Sequence, residues 1–81
     1  MARTRAVVEN PVSVPEAITN VVISDGICRI YTDLTRGNMN RAATTARDVV
    51  GLTSARYLRD ELERRGISDG SLDALFDLIG Q

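Results

Sequence analysis

The chain has no histidine, no lysine, no tryptophan and only one cysteine, Cys28. Without histidine, the side chain most often used for general acid–base work is gone. One cysteine among scattered carboxylates has no metal-ligand spacing, so neither a metal nor another cofactor is expected. A lone thiol cannot close an internal disulfide and points to a reducing compartment. No apolar run approaches the roughly 18 residues that read as a membrane span. Arg3 and Arg5 are not followed by the long apolar core of a signal peptide. The expected address is therefore the cytoplasm, away from membrane.

What is present is an 81-residue chain of net charge −1. One domain is the sensible count. A chain this short buries only about 60% of its unfolded surface. Small domains commonly need a disulfide, a metal or a partner chain. With the first two excluded, good packing or association remains, and oligomerisation is the first structural expectation. The charge is unevenly spread. Residues 36–65 carry seven arginines against Asp48, Asp60, Glu61 and Glu63, whereas the stretch after Gly66 holds Asp69, Asp73 and Asp77 without a base. All ten basic residues are arginine. Codon bias explains that choice without function; bidentate contacts to carboxylate or phosphate would explain it with one.

The fold expected is all-α, with four to five short amphipathic helices (13–81) behind an extended N-terminal arm (1–12). In the arm, Val7 and Val8 favour a strand, and Asn10-Pro11 interrupts what precedes it. Ser13-Val14-Pro15-Glu16 has the form of a capping box with proline in the first turn. Val14, Ala17, Ile18, Val21 and Val22 then share a helical face. Asp25-Gly26 lies between β-branched runs, so a hairpin over 21–31, giving an α+β fold, is the rival. Against it, Ile27, Ile30, Tyr31 and Leu34 recur at the helical period. The tetrapeptide Ile23-Ser24-Asp25-Gly26 also recurs as Ile67-Ser68-Asp69-Gly70. If both copies do one job, each caps a helix; a chance recurrence of common capping chemistry is the plainer explanation. A middle helix is expected over 38–50, capped by Asn38, with an apolar stripe of Met39, Ala42, Ala43, Ala46, Val49 and Val50. Gly51 would end it. Thr53 or Ser54 would cap a further helix to Arg65, with Asp60–Arg64 and Glu61–Arg65 as i,i+4 pairs.

No catalytic constellation stands out, and no enzyme activity is expected. Asp73 and Asp77, one turn apart, read as a solvated face. Cys28 beside Arg29 has no base or orienting residue, and reads as a small apolar filler. Gly37-Asn38-Met39-Asn40-Arg41 could meet a phosphate at a helix start, but lacks the spacing and the lysine of a phosphate loop.

Two functional classes remain. The first is a non-catalytic assembly subunit that self-associates or docks on a larger protein. Its contact residues would be Ile27, Ile30, Tyr31, Leu34, Leu72, Phe76 and Ile79, with arginine salt bridges setting orientation at the rim. One geometric fork belongs to it. On one continuous helix over 14–36 the set Ile18, Val21, Val22 would lie nearly opposite the set Ile27, Ile30, Tyr31, Leu34, so either the chain bends at Asp25-Gly26 or both sides need cover. The alternative is a helix-turn-helix DNA-binding regulator built on 46–66. Arg56 and Arg59 would contact the groove, with Arg41, Arg47, Arg64 and Arg65 on phosphates. Asp60, Glu61 and Glu63 on the same helix weigh against it. So does the offset of Leu58 and Leu62, since the motif would turn Tyr57 and Asp60 inward.

Overall fold

The computed structural model gives side-chain detail for residues 18–81, and these are the described residues. The extended arm expected over 1–12 lies outside them. The architecture is all-α: α1 (Thr4–Thr35), α2 (Met39–Leu52), α3 (Ala55–Arg64) and α4 (Asp69–Leu78), with no strand among the described residues. No described helix is long and apolar enough to cross a membrane.

In the first half the rival hairpin is set aside and one expectation, a break between two short helices, is corrected. No hairpin forms over 21–31, and the chain does not break at Asp25-Gly26; α1 passes through both without interruption. The reason is on the page. Ile23, Gly26, Ile27, Ile30 and Leu34 fall on one side of a helix with 3.6 residues per turn. Ile27 and Ile30 are fully buried there, with Ile23 and Leu34 packed alongside. Breaking the helix at Asp25-Gly26 would split that stripe. Gly26 serves as a contact point. A Cβ built on it would sit 2.5 Å from Val49 Cγ2, on the facing side of α2.

The α1–α2 pair is a hairpin of helices turned at Arg36-Gly37-Asn38. Gly37 has φ +80. The Asn38 N–H donates to Asp33 O at 2.7 Å and the Gly37 N–H to Leu34 O at 3.2 Å, so the last turn of α1 closes on its own carbonyls. α3 stops the same way, with Gly66 at φ +95, Ile67 N–H to Leu62 O and Gly66 N–H to Glu63 O. Asn38 stands at the N-cap of α2 as expected, yet its side chain makes no capping bond. Gly51 does not end α2; it lies within the last turn, and Thr53 is the C-cap. Ser54 caps α3, accepting from the Tyr57 N–H at 3.1 Å, and Ser68 caps α4, accepting from the Ser71 N–H at 3.3 Å.

Ala42, Ala43, Ala46 and Val49 are the buried face of α2. Small side chains there let α1 approach, and the glycine opposite Val49 extends the same logic. Leu58 and Leu62 from α3, with Leu72, Leu75 and Phe76 from α4, complete the core. No polar or charged residue is buried among the described residues.

Candidate interaction surface

Ile27, Ile30, Leu72 and Phe76, named as contact residues from the sequence, are spent inside the chain's own core. Leu34 and Ile79 are half-buried against that core, and Tyr31 sits at its edge, just exposed. The periodicity that singled these residues out was real, but it marked the intramolecular seam.

The apolar side chains left outside are a different set. Ile18 is 59% exposed, Val21 67% and Val22 48%. Their rotation about α1 explains why. At about 100° per residue, Ile18, Val21 and Val22 occupy an arc of roughly 100° whose centre lies nearly opposite the Ile23–Ile27–Ile30–Leu34 stripe. Because α1 is not interrupted at Asp25-Gly26, both faces exist on one helix. The length of α2 adds to this. Gly26 faces Val49, so antiparallel pairing runs Leu52 out alongside residue 23 of α1. Ile18 and Val21 therefore project past the end of α2. The sequence had shown this trio as one face and its rotation away from the Ile27–Leu34 set; which of the two faces the rest of the chain covers is decided by the fold. Leu52, Tyr57 and Leu78 are also exposed; scattered single exposures of this kind are ordinary.

The arginines proposed for nucleic acid are largely occupied by the chain itself. Arg59 Nη2 donates to Asp73 Oδ1 at 2.9 Å, and its Nε lies 3.8 Å from Glu63 Oε2. Its guanidinium also lies 5.9 Å from the centre of the Phe76 ring. The hydrogen bond to Asp73 raises the Arg59 pKa above its ordinary value, with further attraction from Asp73, Glu63 and Asp69 outweighing burial. Asp73, expected as one of two solvated carboxylates, is well exposed and also links α4 to α3 through Arg59. Glu61 receives both Arg64 at 2.9 Å and Arg65 at 3.0 Å. The expected Asp60–Arg64 pair gives way to Glu61–Arg64, one position closer along the helix. Arg47 Nη2 donates to Leu78 O at 3.1 Å. Arg41 and Arg56 are exposed and make no ion pair among the described residues. Tyr57 and Asp60, which the DNA-binding outline would turn inward, are exposed, while Leu58 and Leu62 face the core. α3 therefore presents a different face to its neighbours from the one that outline requires.

Cys28 is exposed, which corrects its reading as an apolar filler. One residue on from Ile27, it is turned about 100° away from the buried stripe. It lines an open groove with Arg29, Thr32, Asp33, Arg41 and Thr45. Asp25 and Arg29 pair across one turn of the same helix at 2.9 Å, both well exposed. No group of acidic, cysteine or histidine side chains that could hold a metal occurs among the described residues.

No family model, curated protein or solved structure matches this chain. Its functional reading rests on the surface just described.

Proposed function

We propose that this protein is a non-catalytic assembly subunit that pairs with a second copy of itself through the outer face of α1. The observation that carries the proposal is the exposed arc of Ile18, Val21 and Val22, opposite the buried stripe and beyond the reach of α2. Three aliphatic side chains adjacent on one helix form a continuous apolar face, unlike the isolated exposures elsewhere. A second copy brings a face of equal width and length, which is the condition for a two-fold, self-complementary contact. Charge does not oppose it. The chain carries a net −1, and the Asp25–Arg29 pair leaves the adjoining turn neutral. Six side chains across the pair each have about half or more of their surface still to lose, on the order of 1 kcal/mol apiece. Against the cost of association, this describes a concentration-dependent pair rather than an obligate one.

Sedimentation velocity over a range of micromolar concentrations, at low and high salt, tests the proposal. A dimer that persists or tightens with salt, and that Val21→Asp reduces to monomer without changing the circular dichroism, is the expected result. Val21→Asp is the right probe because Val21 is exposed, so the folded monomer tolerates it; Ile30→Asp would unfold the core instead. A monomer at all concentrations overturns the proposal. So does tight duplex DNA binding that collapses steeply with salt, the mark of phosphate contacts.

A further inference from the structure

We infer that Leu52 of α2 joins the face through which two copies pair, so that two helices of each copy build the contact; this rests on the self-association just proposed. Exposure alone does not single Leu52 out, since it is 47% exposed and Leu78 is 45%. Its place in the α1–α2 hairpin does.

That place follows from Gly26. A Cβ built there would lie 2.5 Å from Val49 Cγ2 and 3.8 Å from Thr45 Cγ2, so residue 26 sits against the 45–49 ridge of its antiparallel neighbour. One turn back along α1 is Val22, turned only about 40° from Gly26. One turn on from Val49 is Leu52, turned about 20° from Thr45. The two helices run in opposite directions at about 1.5 Å per residue, so Val22 and Leu52 reach the same level on the same edge of the hairpin. Val22 is 48% exposed, like Leu52, as expected of two aliphatic side chains flanking one open edge. The outer apolar face of α1 therefore continues across the seam onto α2.

The surrounding charges favour a second copy as the occupant. Moving from the patch toward Gly37, Asp25 and Arg29 pair with each other at 2.9 Å. Arg47 donates to Leu78 O at 3.1 Å, and Asp48 is left exposed. No free arginine among these residues attracts an acidic partner, and one carboxylate is little to attract a basic one. Aliphatic surface is what complements the patch, and a second copy carries it.

Leu78 is a matched control. Leu52 and Leu78 are each the last residue of a helix. Leu78 lies on another flank: Arg47, which bonds its carbonyl, is turned about 140° from Leu52 around α2. Arginine suits a helix C-terminus, so the fold tolerates it at either position.

Sedimentation velocity of the full chain at micromolar concentrations, with circular dichroism of each variant, is the experiment. Leu52→Ala removes two half-exposed leucines per pair, and roughly a tenfold rise in the dimer Kd is expected. Leu52→Arg should raise it further, and Leu78→Arg should leave it within about twofold. If Leu52→Arg loses its helical signal, Leu52→Ala reads the same contact. Dimers of Leu52→Ala and Leu52→Arg as tight as the original, with Val21→Asp still monomeric, confine the face to α1; the inference then falls and self-association stands. Equal weakening by Leu52→Arg and Leu78→Arg also overturns it, since the effect would then follow charge and not position. A parent chain that is monomeric throughout removes both the inference and the pairing.

Discussion

The segments 23–26 and 67–70 are the same four residues, Ile-Ser-Asp-Gly, in two different conformations. In the first, the tetrapeptide is the interior of α1 and its glycine is buried against α2. In the second, Ser68 is the cap of α4, and its glycine is exposed in the first turn with nothing within 4 Å of a built Cβ. What differs is the surroundings. The second copy directly follows Gly66, whose left-handed backbone closes α3 and leaves the next residues free to start a helix. The first copy has no glycine before it, and its own Ile23 and Gly26 share with Ile27, Ile30 and Leu34 the stripe that α2 covers. A serine cap forms where a helix has already been stopped; it does not itself stop one.

The largest test of that contrast is Gly26→Ala. Alanine is the better helix former by about 1 kcal/mol, yet the new methyl would overlap Val49 Cγ2. Overpacking of this kind costs about 1–3 kcal/mol, so a fall in the urea midpoint is expected despite the propensity gain. Adding Val49→Ala should recover part of the loss, and a double-mutant cycle reads the coupling directly. A Gly26→Ala chain more stable than the original would show that the close approach of α1 and α2 is wrong.

Ser68→Ala comes next. Removing a serine that accepts from the Ser71 N–H should cost about 1 kcal/mol, seen as a lowered midpoint. Gly70→Ala should run the opposite way. With open space around it and an ordinary helical φ, the change should raise stability by about 0.5–1 kcal/mol. The two glycines of one repeated tetrapeptide are thus expected to respond to the same substitution with opposite signs. The smallest effect is Ser24→Ala, where no cap is lost. A change within about 0.5 kcal/mol is expected in chemical denaturation, and a loss as large as that of Ser68→Ala would restore a capping role to the first copy.

A good part of this organisation is legible from residues alone. Gly37 and Gly66 mark the ends of α1 and α3 because only glycine takes a left-handed φ at no steric cost. Ser54 and Ser68 announce the starts of α3 and α4, and the alanines of α2 announce a closely packed face. Gly51 shows the limit of the same rule: a glycine ends a helix only where the backbone turns left-handed, and this one continues into the last turn of α2. The contact residues were less legible. Periodicity identifies an apolar stripe without saying which neighbour covers it, so Ile27, Ile30, Leu72 and Phe76 read equally well as an external face or as a core. Arg59 is similar. Fourteen residues separate it from Asp73, and no local spacing connects them.

The sequence by itself determined the helical class, most of the helix boundaries and the absence of histidine and of an internal disulfide, because these follow from local propensity and from which atoms the side chains contain. Only the tertiary structure decided that α1 runs straight through Asp25-Gly26, that Gly26 is a packing contact, and that Ile18, Val21 and Val22 are the apolar face left uncovered. Those outcomes turn on where α2 lies and where it ends, and the distance from Gly26 to Val49 is set by the fold around them both.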